Sequence, residues 1–133
     1  MKKIVMAVIA ISSLLFAVEW VDGLDAAMKQ AKKEQKVVMA IVVSKECRWC
    51  KKMKHRTLSD ERVEQKLKQF VSVQVMRDNN KEETDRLPKI DGVPTIFFLT
   101  PNGKVIQELL GYMNVEDFLS YISDIEKSRA AKK

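Results

Sequence analysis

The chain has 133 residues, 24 of them basic and 18 acidic, which gives a net charge of +6. This length suits one domain with a real core and is too short for two. The positive charge favours acidic partners or an anionic membrane surface. No basic stripe alternates with aromatic side chains, so nucleic acid is not indicated as a partner.

The amino-terminal segment has the pattern of an export signal. Lys2 and Lys3 precede an uncharged, largely apolar run of 15 residues at 4–18. That run has the length of a signal-peptide core and is shorter than the ~20 residues that span a bilayer. We predict a signal peptide at 1–17, with a retained membrane anchor as the alternative. Because Leu15 is large where a small residue is usual, the sequence does not fix the cleavage site. A single domain with a frayed basic tail is predicted at 18–133.

The first half of this domain shows helical and strand patterns in turn. Residues 22–35 place their apolar side chains on one helical face, with Asp22 as the candidate cap. Residues 37–43 are seven consecutive apolar side chains, typical of a strand covered on both faces. Helical character follows at 50–56, and Ser59 is predicted to cap another helix.

The second half predicts three strands and a closing helix. Residues 71–76 alternate in polarity as a strand does, and a polar loop with room for one helical turn follows. Strands at 94–100 and 104–110 flank a turn signal and so form an antiparallel hairpin. Asn114 is expected to cap the last helix. These elements predict an α/β sandwich, with a mixed central sheet of four to five strands and helices on both sides.

Both cysteines of the chain, Cys47 and Cys50, stand two residues apart between a strand and a helix. A structural disulfide is one interpretation, but closing so short a loop gains only about 1.9 kcal/mol, against about 3 for a loop of 15 residues. A metal site is another, although a closed zinc site needs four ligands. The chain offers only His55 as a further nitrogen donor, with Met53 or a partner copy left to complete the set.

A redox couple is the third interpretation, and it accounts for more of the surroundings. The first cysteine precedes a helix, whose unpaired N–H groups and dipole favour a thiolate over a thiol. Glu46 opposes this effect, whereas five neighbouring cations reinforce it: Lys45, Arg48, Lys51, Lys52 and Lys54. We therefore predict that the pKa of Cys47 lies below the value of about 8.5 for free cysteine.

Three motifs together resemble the thioredoxin superfamily, over roughly residues 20–127. They are Cys47-Arg48-Trp49-Cys50 at a strand-to-helix junction, Gly92-Val93-Pro94-Thr95 before the third strand, and Gly111-Tyr112 after the hairpin. Within that superfamily the chain is most similar to exported thioredoxin-like proteins, through C-x-W-C-K-x-M at 47–53 and S-D-x-x-V at 59–63. The resemblance implies a thioredoxin-like three-layer sandwich.

The resemblance also implies roles for individual residues. Cys47 would attack a partner disulfide, and Cys50 would resolve the mixed disulfide. Pro94 would be cis beside the sulfurs, and the backbone at Val93 would hold the partner chain. Four neighbours would tune the pair: Glu46, Arg48, Trp49 and Lys51. The redox-active disulfide is the only reactive group implied, with no metal and no other cofactor.

Two departures from thioredoxin affect proton transfer. The buried aspartate that thioredoxin places six residues before its first cysteine is Ile41 here, so the proton acceptor for Cys50 stays open between Glu46 and water. His55 stands where thioredoxin has a helix proline. We expect it to be an exposed helical residue, with a role in proton transfer as the alternative.

The resulting hypothesis is a monomeric periplasmic thiol:disulfide oxidoreductase. It would reduce exported proteins and would be recharged by a membrane electron donor. Two alternatives remain open from the sequence: exchange in the oxidising direction, and a non-catalytic thioredoxin-like module that binds a partner or carries a metal.

Overall fold

A computed structural model describes residues 17–132. The predicted signal peptide therefore lies, apart from Ala17, outside the described residues. Between residues 17 and 132, no helix has the length and apolar character needed to cross a bilayer.

Eleven elements follow one another in the described part of the chain. The strands are β1 (Trp20–Val21), β2 (Val37–Val43), β3 (Phe70–Met76), β4 (Thr95–Leu99) and β5 (Val105–Leu110). The α-helices are α1 (Leu24–Glu34), α2 (Arg48–Lys52), α3 (Glu61–Leu67), α4 (Lys81–Asp85) and α5 (Val115–Ala131). A π-helical segment, Met53–Thr57, continues directly from α2.

The strands form one mixed sheet in the order β1-β3-β2-β4-β5. β3 pairs in parallel with both β1 and β2, whereas β4 pairs antiparallel with β2 and β5. This arrangement confirms the predicted mixed sheet and its hairpin. β1 was absent from the predicted elements, because two residues are too few to show a periodicity.

The central strand β2 carries two cores, one on each face of the sheet. One face presents Met39, Ile41 and Val43 to a cluster that includes residues of α3 and α5. The opposite face presents Val38, Ala40 and Val42 to a cluster that includes α1. All seven residues of β2 are buried, which explains why the sequence shows no alternation there.

The start of α1 differs from the prediction. Gly23, not Asp22, occupies the cap position, with a φ of 96° that favours glycine. The first helical N–H, that of Leu24, donates to Oε1 of Glu83 at 2.9 Å. The carboxylate of Glu83, distant in sequence, therefore accepts the N–H that a local cap residue would otherwise bind.

The predicted cap was wrong for α3 and is confirmed for α5. Asp60, not Ser59, caps α3, and its carboxylate accepts the N–H of Arg62 at 2.9 Å. The hydroxyl of Ser59 instead donates to the carbonyl of His55. Asn114 caps α5 as predicted.

Candidate active site

The two cysteines form a disulfide at the carboxyl end of β2, with their Cα atoms 5.2 Å apart. Cys47 is the N-cap of α2, and its Sγ accepts the N–H of Cys50 at 3.1 Å. The helix consequently begins at Arg48, two residues earlier than predicted. Cys47 is 7% exposed and Cys50 is 3% exposed, so the amino-terminal cysteine is the more accessible residue.

The loop between β2 and the cysteines is fixed by the end of β3. The N–H of Arg77 donates to the carbonyl of Val43 at 2.9 Å. The N–H of Lys45 donates to Oδ2 of Asp78 at 2.7 Å. These two bonds, together with the parallel pairing of β2 and β3, determine where the chain enters the active-site helix.

The peptide bond between Val93 and Pro94 is cis and lies directly beside the disulfide. The carbonyl oxygen of Val93 is 3.8 Å from Cys47 Sγ. Neighbouring hydrogen bonds hold this loop: the Thr95 hydroxyl donates to the Gly92 carbonyl at 2.7 Å, and the Gly111 N–H donates to the Pro94 carbonyl at 2.8 Å. The structure thus brings Val93 and Pro94 to the cysteine pair, although the two motifs lie more than 40 residues apart in sequence.

Two aromatic rings and two cations lie together next to the disulfide. Trp49 is 47% exposed, and its ring centroid lies 5.8 Å from that of Tyr112. Lys52 Nζ sits 4.8 Å from the Trp49 ring centre and 4.5 Å from that of Tyr112, within the range of cation–π attraction. Arg48 also lies near the Trp49 ring, at 5.8 Å.

Tyr112 had no predicted role at the site, and Lys52 was predicted only as one of the cations that favour the Cys47 thiolate. The Gly111-Tyr112 motif marked the position of the tyrosine, but nothing in the local pattern indicated that its ring would reach Trp49. The loop that carries Tyr112 is held by Thr57, whose fully buried hydroxyl donates to the carbonyl of Met113 at 2.5 Å.

The remaining predicted neighbours lie close in sequence but make few contacts. Glu46 and Lys51 are exposed, and within residues 17–132 neither side chain forms a hydrogen bond or an ion pair. The side chain of His55 is also exposed, as expected. Ile41 is fully buried, so the core beneath the site has an aliphatic group where thioredoxin has a carboxylate.

No group of three or more His, Cys, Asp or Glu side chains converges as a metal site anywhere in residues 17–132. Both sulfurs are committed to the disulfide. A disulfide whose first cysteine caps a helix can undergo thiol–disulfide exchange.

Comparison with known proteins agrees with this geometry. The family model described as "Thioredoxin-like domain" matches residues 24–126. The "Thiol:disulfide interchange protein DsbD" of Actinobacillus pleuropneumoniae serotype 5b is 32% identical over 95 residues, which cover 68% of this chain and 16% of that protein. The chain therefore spans about a sixth of the length of this curated relative.

Two solved structures are similar over most of the chain. The oxidised C-terminal domain of Neisseria meningitidis DsbD is 27% identical with a TM-score of 0.64, over 80% of this chain and 98% of that domain. A thioredoxin from Thermus thermophilus is 26% identical with a TM-score of 0.73, over 82% and 87% of the two chains. The sheet, the redox pair and the family match together show that this chain belongs to the thioredoxin-like family, among its thiol:disulfide oxidoreductases.

Proposed function

We propose that the protein is exported and reduces the disulfides of other exported proteins through a Cys47–Cys50 dithiol. The observation that carries this proposal is the position of Cys47. Cys47 is the more exposed residue of the pair, and its sulfur caps a helix and lies 3.8 Å from the carbonyl oxygen of Val93. The apolar run at 4–18 supports export, since it matches a signal-peptide core.

In the first step, the thiolate of Cys47 attacks one sulfur of the partner disulfide. The N–H of Cys50, 3.1 Å from Cys47 Sγ, and the start of the helix both stabilise that anion. A new bond forms between Cys47 and the partner, the partner's S–S bond breaks, and its second sulfur leaves as a thiolate that takes a proton from solvent.

In the second step, Cys50 loses its proton and attacks Cys47 Sγ. A disulfide forms between Cys50 and Cys47, and the bond between Cys47 and the partner breaks. The partner sulfur that was bound to Cys47 leaves as a thiolate and takes a proton, so two electrons have passed from the dithiol to the partner. With Ile41 buried beneath the pair, the proton goes to water or to Glu46 at the surface.

The loop at 92–95 provides the surface on which the partner chain lies. Its carbonyl at Val93 is oriented to the reacting sulfur, and its neighbours are fixed by hydrogen bonds. An extended partner segment that pairs with this backbone would present its own cysteine to Cys47.

Recharging by a membrane electron donor of the thiol-transfer type completes the proposed cycle. Similarity to part of DsbD, whose name describes thiol:disulfide interchange, supports this placement. The C-terminal domain of Neisseria meningitidis DsbD has been solved in an oxidised and in a reduced form, and both resemble this chain.

Trapping tests the assigned roles. Cys50→Ser should accumulate mixed disulfides through Cys47, visible as adducts on non-reducing gels and identifiable by mass spectrometry. Cys47→Ser is the matched control and should give far fewer. An absence of adducts from Cys50→Ser, under conditions where the wild type is active, would reject the mechanism. A reduction potential of about −120 mV, the value of a strong oxidant, would contradict the proposed direction of electron flow but not the exchange chemistry.

A further inference from the structure

The positive charge of this protein is concentrated around the redox pair. Residues 45–56 contain six basic and one acidic side chain, a net charge of +5. The other described residues contain fifteen basic and seventeen acidic side chains, a net charge of −2. We call the six basic residues of this segment the cationic rim: Lys45, Arg48, Lys51, Lys52, Lys54 and Arg56.

The cationic rim is not neutralised within the described chain. The six salt bridges present in residues 17–132 use cations elsewhere, at positions 62, 66, 81, 86 and 89. The nearest carboxylates form no ion pair with it: Glu46 is exposed, Asp78 accepts the backbone N–H of Lys45, and Asp22 and Glu83 line the same pocket as Lys54.

Part of the rim is held in place at the disulfide. Lys52 rests against the rings of Trp49 and Tyr112 at 4.8 and 4.5 Å, and Arg48 lies at 5.8 Å from the Trp49 ring. These contacts hold two cations against the ring of Trp49, which stands between the two cysteines, so they lose less side-chain freedom on binding a carboxylate.

We propose that the preferred partners are protein disulfides whose cysteines are flanked by acidic side chains. This inference rests on the proposed function, because it names the substrate class of the same site. Carboxylates beside the partner cysteine would meet Lys52 and Arg48 while the partner backbone lies along Val93. Complementary charge accelerates encounter and fixes orientation, and salt screens both effects.

An anionic membrane would also attract such a rim, but a flat surface fits this site less well. The cations surround a disulfide that is almost buried and a loop shaped to receive an extended chain. A bilayer lying across them would compete with the partner chain for the loop at Val93, so a protein segment is the occupant that the geometry favours.

The test compares three synthetic peptides that each contain one intramolecular disulfide and differ only in Glu, Gln or Lys flanks. The reduced full-length protein is mixed with each peptide, with dithiothreitol present to regenerate the dithiol, and kcat/KM is measured. We expect the Glu peptide to react about tenfold faster than the Lys peptide at low ionic strength. In 0.5 M salt that ratio should shrink to about twofold or less.

Charge-reversal variants locate the effect. Lys45→Glu combined with Lys52→Glu should lower the Glu-to-Lys ratio at least about fivefold. Lys127→Glu, a reversal on exposed α5 outside the rim, is the control and should leave the ratio unchanged. Because the ratio compares two peptides with one protein, any change in the intrinsic reactivity of Cys47 cancels.

The outcomes separate this inference from the proposed function. Equal rates for all three peptides would overturn the acidic preference and leave disulfide reduction intact. Failure to reduce even the Gln peptide would overturn both. Equal peptide rates combined with binding to phosphatidylglycerol vesicles, lost in the double variant and kept in Lys127→Glu, would assign the rim to a membrane surface instead.

Discussion

Thr57 and Met113 are joined by a buried hydrogen bond, in which the threonine hydroxyl donates to the methionine carbonyl at 2.5 Å. The bond links the π-helical end of the active-site helix to the loop that carries Tyr112. The position of that ring against Trp49 is therefore supported by a contact made seven residues after Cys50.

Replacing this threonine should destabilise the fold and weaken the packing of Tyr112 against Trp49. Thr57→Val keeps the shape of the side chain but leaves the Met113 carbonyl without its partner, so we expect a loss of about 1–3 kcal/mol in urea unfolding. Thr84→Val is the control, since its hydroxyl bonds only to carbonyls of its own short helix and the preceding residue. Equal losses in the two variants would contradict the importance of the Thr57 contact.

Gly111 is expected to be intolerant of any side chain. Its φ is 91°, in the left-handed region, and its N–H donates to the Pro94 carbonyl. No atom lies within 4 Å of the place where a Cβ would be, so Gly111→Ala should cost about 1–2 kcal/mol through backbone conformation alone. Gly92→Ala, with ordinary backbone angles and a Cβ in van der Waals contact with Leu110, should be nearly neutral. Thermal unfolding of both variants provides the comparison.

Asp60, and not Ser59, should stabilise the start of α3. Asp60→Ala removes the carboxylate that accepts the Arg62 N–H and should cost about 1 kcal/mol. Ser59→Ala removes a hydroxyl outside the helix start and should cost less. Urea unfolding would contradict the structure if the serine variant proved the more damaging of the two.

Glu126 should make stability depend on pH on the acid side. Hydrogen bonds from Gln69 and then Lys66 hold the pKa of this carboxyl below its usual value of 4.5. Because the folded pKa is the lower one, the stabilisation is fully present above about pH 4.5 and is lost as the pH falls through the folded pKa. The free energy of unfolding, measured in urea, should therefore differ less between wild type and Glu126→Gln as the pH falls below 4.5. A gap that stays constant down to pH 3 would contradict this assignment.

The reactivity of reduced Cys47 should report its electrostatic surroundings. We expect the rate of alkylation by iodoacetamide in Cys50→Ser to rise with an apparent pKa below the value of about 8.5 for free cysteine. A midpoint at or above that value would remove the argument for thiolate stabilisation by the helix start. Alkylation of a short unstructured cysteine peptide under the same conditions is the control.

Local patterns were sufficient where one element determines the outcome. The seven apolar residues of β2 predicted a doubly covered strand, and Asn114 was recognisable as a cap from its immediate neighbours. The motifs at Cys47 and Pro94 indicated the family because their spacing and flanking elements agreed.

Contacts between distant segments were not predictable in the same way. Asp22 has the side chain of a cap, but α1 begins one residue later because Glu83, 59 residues from Leu24, supplies the carboxylate. Tyr112 lies against Trp49 in a loop that is held by tertiary contacts, among them the hydrogen bond from Thr57 to Met113. These features depend on how the loops fold over the sheet, and no periodicity in the chain encodes them.

The burial of β2 on both faces has one more consequence. Cys47 follows a strand that has a hydrogen-bonded neighbour on each side, and the short connection between them is itself hydrogen-bonded at Val43 and Lys45. Gain and loss of the sulfur–sulfur bond would then need little more than torsional adjustment within the side chains. The enhanced reactivity of Cys47 should persist on heating until the whole domain melts, and in that same step it should fall to the reactivity of a cysteine in an unfolded chain.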